Sequence, residues 1–140
     1  MHRLAILLVL AWISLLPAQP LIRLHVDASN APRRLFHVRL AIPARPGPLT
    51  LVYPKWIPGE HGPTGPLLDL AGLKLSVDGK PVAWKRDLVE MYLFHCDVPA
   101  GATRLEADYD YLLPAPGEKF SSGASSSDRL AVISWNQVVL

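Results

Sequence analysis

The chain has 140 residues, half of them apolar, with 14 basic and 12 acidic side chains and a single cysteine. That length and apolar content support one domain with a real core and argue against disorder over most of the chain, while the near-balanced charge gives no basis for a nucleic-acid or anionic-membrane partner. With Cys96 alone there is neither an internal disulfide nor a thiolate-rich metal cluster, and a half-buried strand position is its expected role.

Residues 1–18 read as a secretory signal peptide. Met1-His2-Arg3 is a basic start, Leu4–Leu16 an apolar run, and Pro17-Ala18-Gln19 a short exit. The run is shorter than the ~20 residues that span a bilayer, so a leader helix is expected rather than an anchor. The expected location is exported, periplasmic or extracellular. Membrane contact is expected only through this segment, if it stays uncleaved.

From Leu21 the apolar pattern switches to period two, the mark of strands with one face on a core. Ile22, Leu24, Val26 and Ala28 alternate with Arg23, His25 and Asp27; after an Asn30-Ala31-Pro32 turn, Phe36, Val38, Leu40 and Ile42 alternate with His37 and Arg39. These two runs predict an antiparallel pair. Pro43 to Pro48 reads as a loop and Leu49–Tyr53 as a short strand.

Tyr53–Pro66 follows, with Pro54, Pro58, Pro63 and Pro66 interleaved with Gly59, Gly62 and Gly65. Each proline fixes φ near −65° and removes an N–H, and each glycine admits positive φ, so the segment can be neither helix nor central strand. A stiff loop carrying Tyr53, Lys55, Trp56, Glu60 and His61 is the leading candidate for a contact site. Trp56 is expected to plug the loop onto the core; Glu60 and His61, a polar pair between glycines, have little packing reason to be there and are expected to meet a ligand or a neighbouring domain.

A short helical turn is expected around Leu67–Leu70. Leu73, Leu75 and Val77 then alternate up to Asp78-Gly79, which predicts a type I′ hairpin into Lys80–Trp84, with Pro81 placing the returning strand at an edge. Arg86 and Asp87, at the exposed end of that strand, are expected to pair locally. Met91–Val98, turning inward at Tyr92, Phe94, Cys96 and Val98, and Leu105–Tyr111 read as a second hairpin across Pro99-Ala100-Gly101. Ser121–Ser127 reads as a flexible loop and Leu130–Leu140 as a return to strand. The sum predicts an all-β fold, an antiparallel β-sandwich or saddle-like sheet over residues 21–140. The chain stops inside an apolar run, which suggests a chain cut before its next part.

Catalytic patterns are missing from the sequence. There is no His-Glu-x-x-His and no Gly-x-Ser-x-Gly, and Glu60 and His61 point apart in an extended chain, so no metal ligand and no catalytic residue is assigned. His25, His37 and His95 lie on polar strand phases, where solvated histidines are expected. Asp108 and Asp110 share the solvent face of one strand.

The ordered series Tyr53–Pro66, Asp69–Leu73, Trp84–Asp87 and Phe94–Gly101 resembles the N-terminal domain of the PDZ-containing glycyl aminopeptidases, peptidase family M sixty-one. The resemblance implies an exported zinc metallopeptidase of three parts, with an N-terminal β-domain, a catalytic domain and a C-terminal PDZ domain as partners, in which the β-domain packs on the catalytic domain and helps shape the substrate cleft, touching peptide substrate indirectly. It places the zinc ligands and the general base beyond Leu140, so zinc is expected in the catalytic domain, none in this chain, and no catalysis by this chain alone. It also makes Trp135–Leu140 the strand that leads on to that domain. The alternative is a stand-alone periplasmic module in which Trp56, Tyr53 and His61 form a platform for peptide or carbohydrate.

Overall fold

The computed structural model of the protein describes residues 20–114 and 123–140. The expected leader, residues 1–18, lies outside the described residues. The period-two runs become strands β1 (Arg23–Asp27), β2 (Leu35–Pro43), β3 (Gly47–Val52), β4 (Leu70–Val77), β5 (Lys80–Val82), β6 (Trp84–Arg86), β7 (Leu93–Val98), β8 (Arg104–Leu112), β9 (Ser125–Ser126) and β10 (Ala131–Val132). All pairings are antiparallel. They build a five-stranded sheet in the order β1-β2-β8-β4-β5, a three-stranded sheet in the order β3-β7-β6, and the small pair β10-β9.

One core draws from both larger sheets. Phe36, Val38, Leu40 and Ile42 of β2 and Leu105, Ala107, Tyr109 and Tyr111 of β8 face Leu51 of β3 and Phe94, Cys96 and Val98 of β7 within a single buried cluster. The side chains between them on each strand stay at the surface, so the two antiparallel sheets form the expected all-β sandwich. Burying a Phe, Leu or Val of this kind contributes about 1.5–3 kcal/mol. The Asp78-Gly79 hairpin also forms as expected: the two residues have φ of 48° and 75°, the pair of positive values a type I′ turn needs. Strand β5, which carries Pro81, lies at the edge of its sheet.

Four expectations are corrected. Strands β7 and β8 are not a hairpin; β7 is the middle of the three-stranded sheet, β8 the middle of the five-stranded one, and Pro99–Gly101 carries the chain between them. Lys80–Trp84 is not one strand but changes sheet at Ala83, between β5 and β6. Alternation specifies which face of a strand is buried and is silent about which sheet supplies the partner.

The serine-rich segment, expected as a flexible loop, is partly structured. Residues 121 and 122 lie outside the described residues, but Ser125–Ser126 pairs with Ala131–Val132, and the buried Ser126 hydroxyl donates to the Ala31 carbonyl at 2.6 Å. The closing segment, expected as strand, is strand over Ala131–Val132 and then a 3₁₀ turn over Trp135–Gln137, with Gln137 and Val138 buried. A run of apolar residues is read as strand from sequence, but here a buried polar side chain, Gln137, closes the turn.

Candidate functional site: the Tyr53–Pro66 loop and the turn that clasps it

Between β3 and the 3₁₀ turn Leu67–Asp69, residues 53–66 form neither helix nor strand, as their prolines and glycines dictate. The loop closes on itself. Gly65 N donates to Lys55 O at 2.9 Å, Glu60 N to Ile57 O at 3.0 Å, and Tyr53 N to Tyr92 O at 2.9 Å. Gly65 is required at the crossing, because a Cβ there would stand 1.9 Å from the Pro54 carbonyl oxygen.

The side chain that pins the loop to the core is not Trp56. Tyr53 is fully buried and Ile57 nearly so, whereas Trp56 is 63% exposed. Tyr53 is the last residue before the prolines begin and keeps the inward phase of β3, while Pro54 and the turn that follows release Trp56 from that phase. The Tyr53 hydroxyl donates to Gln137 O at 2.7 Å, and burial raises its phenol above the ordinary range.

A second fastening acts from the side. Lys55 Nζ lies 2.5 Å from Glu90 Oε2 and 5.5 Å from the centre of the Tyr92 ring, and the Tyr92 hydroxyl donates to Gly65 O at 3.1 Å. The hydrogen bond from Lys55 holds the Glu90 carboxyl below its ordinary range. Glu90 is in turn delivered by Asp87, whose Oδ1 accepts the N–H groups of Val89 and Glu90, each at 2.8 Å. Asp87 Oδ2 accepts from His95 Nε2 at 3.0 Å, and His95 Nδ1 meets the Thr50 hydroxyl at 2.9 Å. The Glu90 and Val89 amides first, and then His95, hold the Asp87 carboxyl down at about 2.

Asp87 thus pairs within its own turn and with His95, while the Arg86 guanidinium lies 5.2 Å from the centre of the Phe94 ring. The spacing Asp87-x-Val89-Glu90 carries a readable signal, an Asx-type cap on the amides two and three residues ahead. The His95 partner, across the β6–β7 pair, carries none. His37 and His95 are likewise not simply solvated: His37 Nδ1 donates to Asp110 Oδ1 at 2.7 Å and its Nε2 accepts from Asn30 at 2.9 Å. Asp108 pairs with Arg39 at 2.7 Å, so both aspartates of β8 face a cation or imidazole across the strand.

The loop residues thus separate by role. Tyr53 faces the core, Lys55 is engaged with Glu90, Glu60 is half-buried, and Trp56 and His61 are presented outward. The loop brings Trp56 and His61 to the surface and withdraws Tyr53, so a three-residue platform of Trp56, Tyr53 and His61 does not form. Beside the clasping turn, a basin of about 1030 Å³ opens over β3, β7 and β6, with Thr50, Lys85, Leu88, Val89, His95 and Asp97 in its lining. Among the described residues no three His, Cys, Asp or Glu side chains gather where they could hold a metal ion. Cys96 is buried on the core face of β7, and burial raises its thiol.

The family model described as Peptidase M61 N-terminal domain matches residues 23–140, nearly the whole described range. The chain belongs to this family. Its fold is also that of a solved structure, the crystal structure of an aminopeptidase N family protein from Idiomarina loihiensis, with a TM-score of 0.62 at 18% identity. The match covers 76% of this chain and 17% of that one, so this peptidase N-terminal domain spans a small part of its neighbour's length. No curated protein matches the chain.

Proposed function

We propose that this domain is the accessory N-terminal part of an exported zinc aminopeptidase, packing on the catalytic domain and walling its substrate cleft with the Tyr53–Pro66 loop. The observation that carries the reading is the loop's construction. It is tied to the core by Tyr53 and Ile57 and to its neighbour turn by Lys55 and Glu90, yet it holds Trp56 63% exposed. Aromatic side chains presented on a rigid support are the usual anchors of protein contacts, because little conformational freedom is lost when they dock.

Among the described residues no donor set for zinc gathers, and the family resemblance places the zinc in the catalytic domain. When bound in the catalytic domain it would polarise the scissile carbonyl and activate water. This chain's contribution is shape: Trp56, Glu60 and His61 meet the catalytic domain or the peptide lying between. The PDZ domain is a further partner that the family resemblance implies, and export rests on the leader at residues 1–18.

The test uses a complete family member with Ala at the positions of Trp56, Glu60 and His61. A roughly tenfold fall in kcat/KM is expected from loss of an anchoring contact of about 1.4 kcal/mol, with zinc content unchanged. Unchanged kinetics in all three variants would sink the cleft role.

A further inference from the structure

The turn that clasps the loop has an apolar tip. Leu88 is 98% exposed and Val89 93%, and Met91 just beyond them is 57% exposed. Such exposure at a mobile tip would mean little, but this turn is held. Asp87 accepts two of its backbone amides, Asp87 N donates to Leu93 O at 3.0 Å, and Glu90 is fixed on Lys55. Two aliphatic side chains are therefore fixed in water with no packing partner among the described residues, at a cost in hydration that burial elsewhere would recover.

The charges around the tip are unevenly committed. The acidic members, Asp87 and Glu90, are engaged by His95 and Lys55. The basic members are the two residues that lead into the turn. Lys85 and Arg86 are both exposed, neither pairs with a carboxylate among the described residues, and Arg86 rests against Phe94. Asp97 also lines the basin, but it lies two residues past His95 along β7, at the end away from the turn. The surface therefore presents an apolar tip with a positive margin. It is joined to the proposed contact loop through Lys55.

We propose that the Asp87–Met91 turn is a docking knob, with Leu88 and Val89 entering an apolar socket rimmed by carboxylates on the catalytic domain. This rests on the proposed function above and extends it, since it adds a second contact element whose apolar tip begins just past the family-like block Trp84–Asp87. Asp87 is here a positioning residue: it sets the turn, and through Glu90 it aligns the knob with the loop. Opposite charges at the rim would steer the approach and make it salt-sensitive.

The test titrates the full chain against the separately produced catalytic domain of a peptidase of this family, by calorimetry at two salt concentrations. Leu88→Asp and Val89→Asp are expected to weaken binding at least tenfold, and Lys85→Glu several-fold with a shallower salt dependence. Leu68→Asp is the control, because Leu68 is 91% exposed on a different segment, and it is expected to bind as wild type. Circular dichroism establishes that each variant keeps its fold. Wild-type binding that Leu88→Asp, Val89→Asp and Lys85→Glu leave intact would overturn the knob while the loop contact stands. No wild-type binding would overturn the reading beneath it as well. Concentration-dependent dimers abolished by Leu88→Asp, or flotation with vesicles of three parts phosphatidylcholine to one of phosphatidylserine, would instead assign the knob to a second copy or to a lipid surface, and overturn it.

Discussion

The Tyr53–Pro66 loop is fastened at its base and at its rim, and the two fastenings differ in kind. At the base, Tyr53 gives its hydroxyl to the Gln137 carbonyl, while the Gln137 side-chain oxygen accepts from the Tyr111 hydroxyl at 3.3 Å and from Ala124 N at 2.9 Å. All four residues are buried. At the rim, the Lys55 and Glu90 side chains are 37% and 38% exposed and the His95 and Asp87 side chains 31% and 32%. A buried polar group left without its partner costs about 1–3 kcal/mol, whereas an exposed ion pair contributes roughly 0–1 kcal/mol. The base therefore secures stability and the rim directs the path of the loop.

The sharpest way to break that comparison is at the crossing between the two. Gly65→Ala drives a Cβ against the Pro54 backbone, which cannot swing aside like a side chain, and an overpacking loss of about 1–3 kcal/mol is expected in urea unfolding. A loss below about 0.5 kcal/mol would show that the crossing is not a constraint. Next in size is Tyr53→Phe, which strips the donor from a buried carbonyl and is expected to cost about 1 kcal/mol or more. Its counterpart is Tyr109→Phe, because the buried Tyr109 hydroxyl has no partner among the described residues. That change is expected to be neutral or to stabilise by up to about 1 kcal/mol. Equal losses from the two substitutions would mean that ring packing, not the Gln137 bond, secures the base.

The smallest effect is expected at the rim, and pH reads it. With its carboxyl held at about 2 in the fold against an ordinary ~3.9, Asp87 stabilises the folded state above pH ~4, and that contribution is lost as pH falls towards 2. Asp27 and Glu90, both held below their ordinary range, act in the same direction. The protection of the Val89 and Glu90 amides, taken relative to their intrinsic exchange at each pH, should therefore fall below pH 4 and stay level from pH 5 to 8. Asp87→Asn should flatten the acid limb; an acid limb unchanged by that substitution would remove Asp87 from the clasp.

Much of the fold was legible from local patterns. The β1–β2 pair, the Asp78-Gly79 hairpin, the edge position of Pro81 and the irregular path of Tyr53–Pro66 each follow from a few neighbouring residues whose φ range or period is restrictive. Trp56 was misplaced because size and apolarity suggest burial, while the phase that decides burial belongs to Tyr53, the last residue before the prolines. The clasp was half legible: Asp87 announces a cap on its own turn, but nothing local joins Lys55 to Glu90.

What the sequence determined by itself, then, is the longer strands, their buried faces and the stiffness of one loop, because side-chain period and backbone restriction are local quantities. The tertiary structure alone decided which sheet each strand joins, that β8 lies at the centre of the larger one, and that Tyr53 finds Gln137 across 84 positions. Those choices depend on which distant faces exclude water together. It also decided which loop residues meet solvent: the outward Trp56 and His61, and the apolar tip of the Asp87–Met91 turn, are consequences of where Tyr53 and Asp87 found their partners.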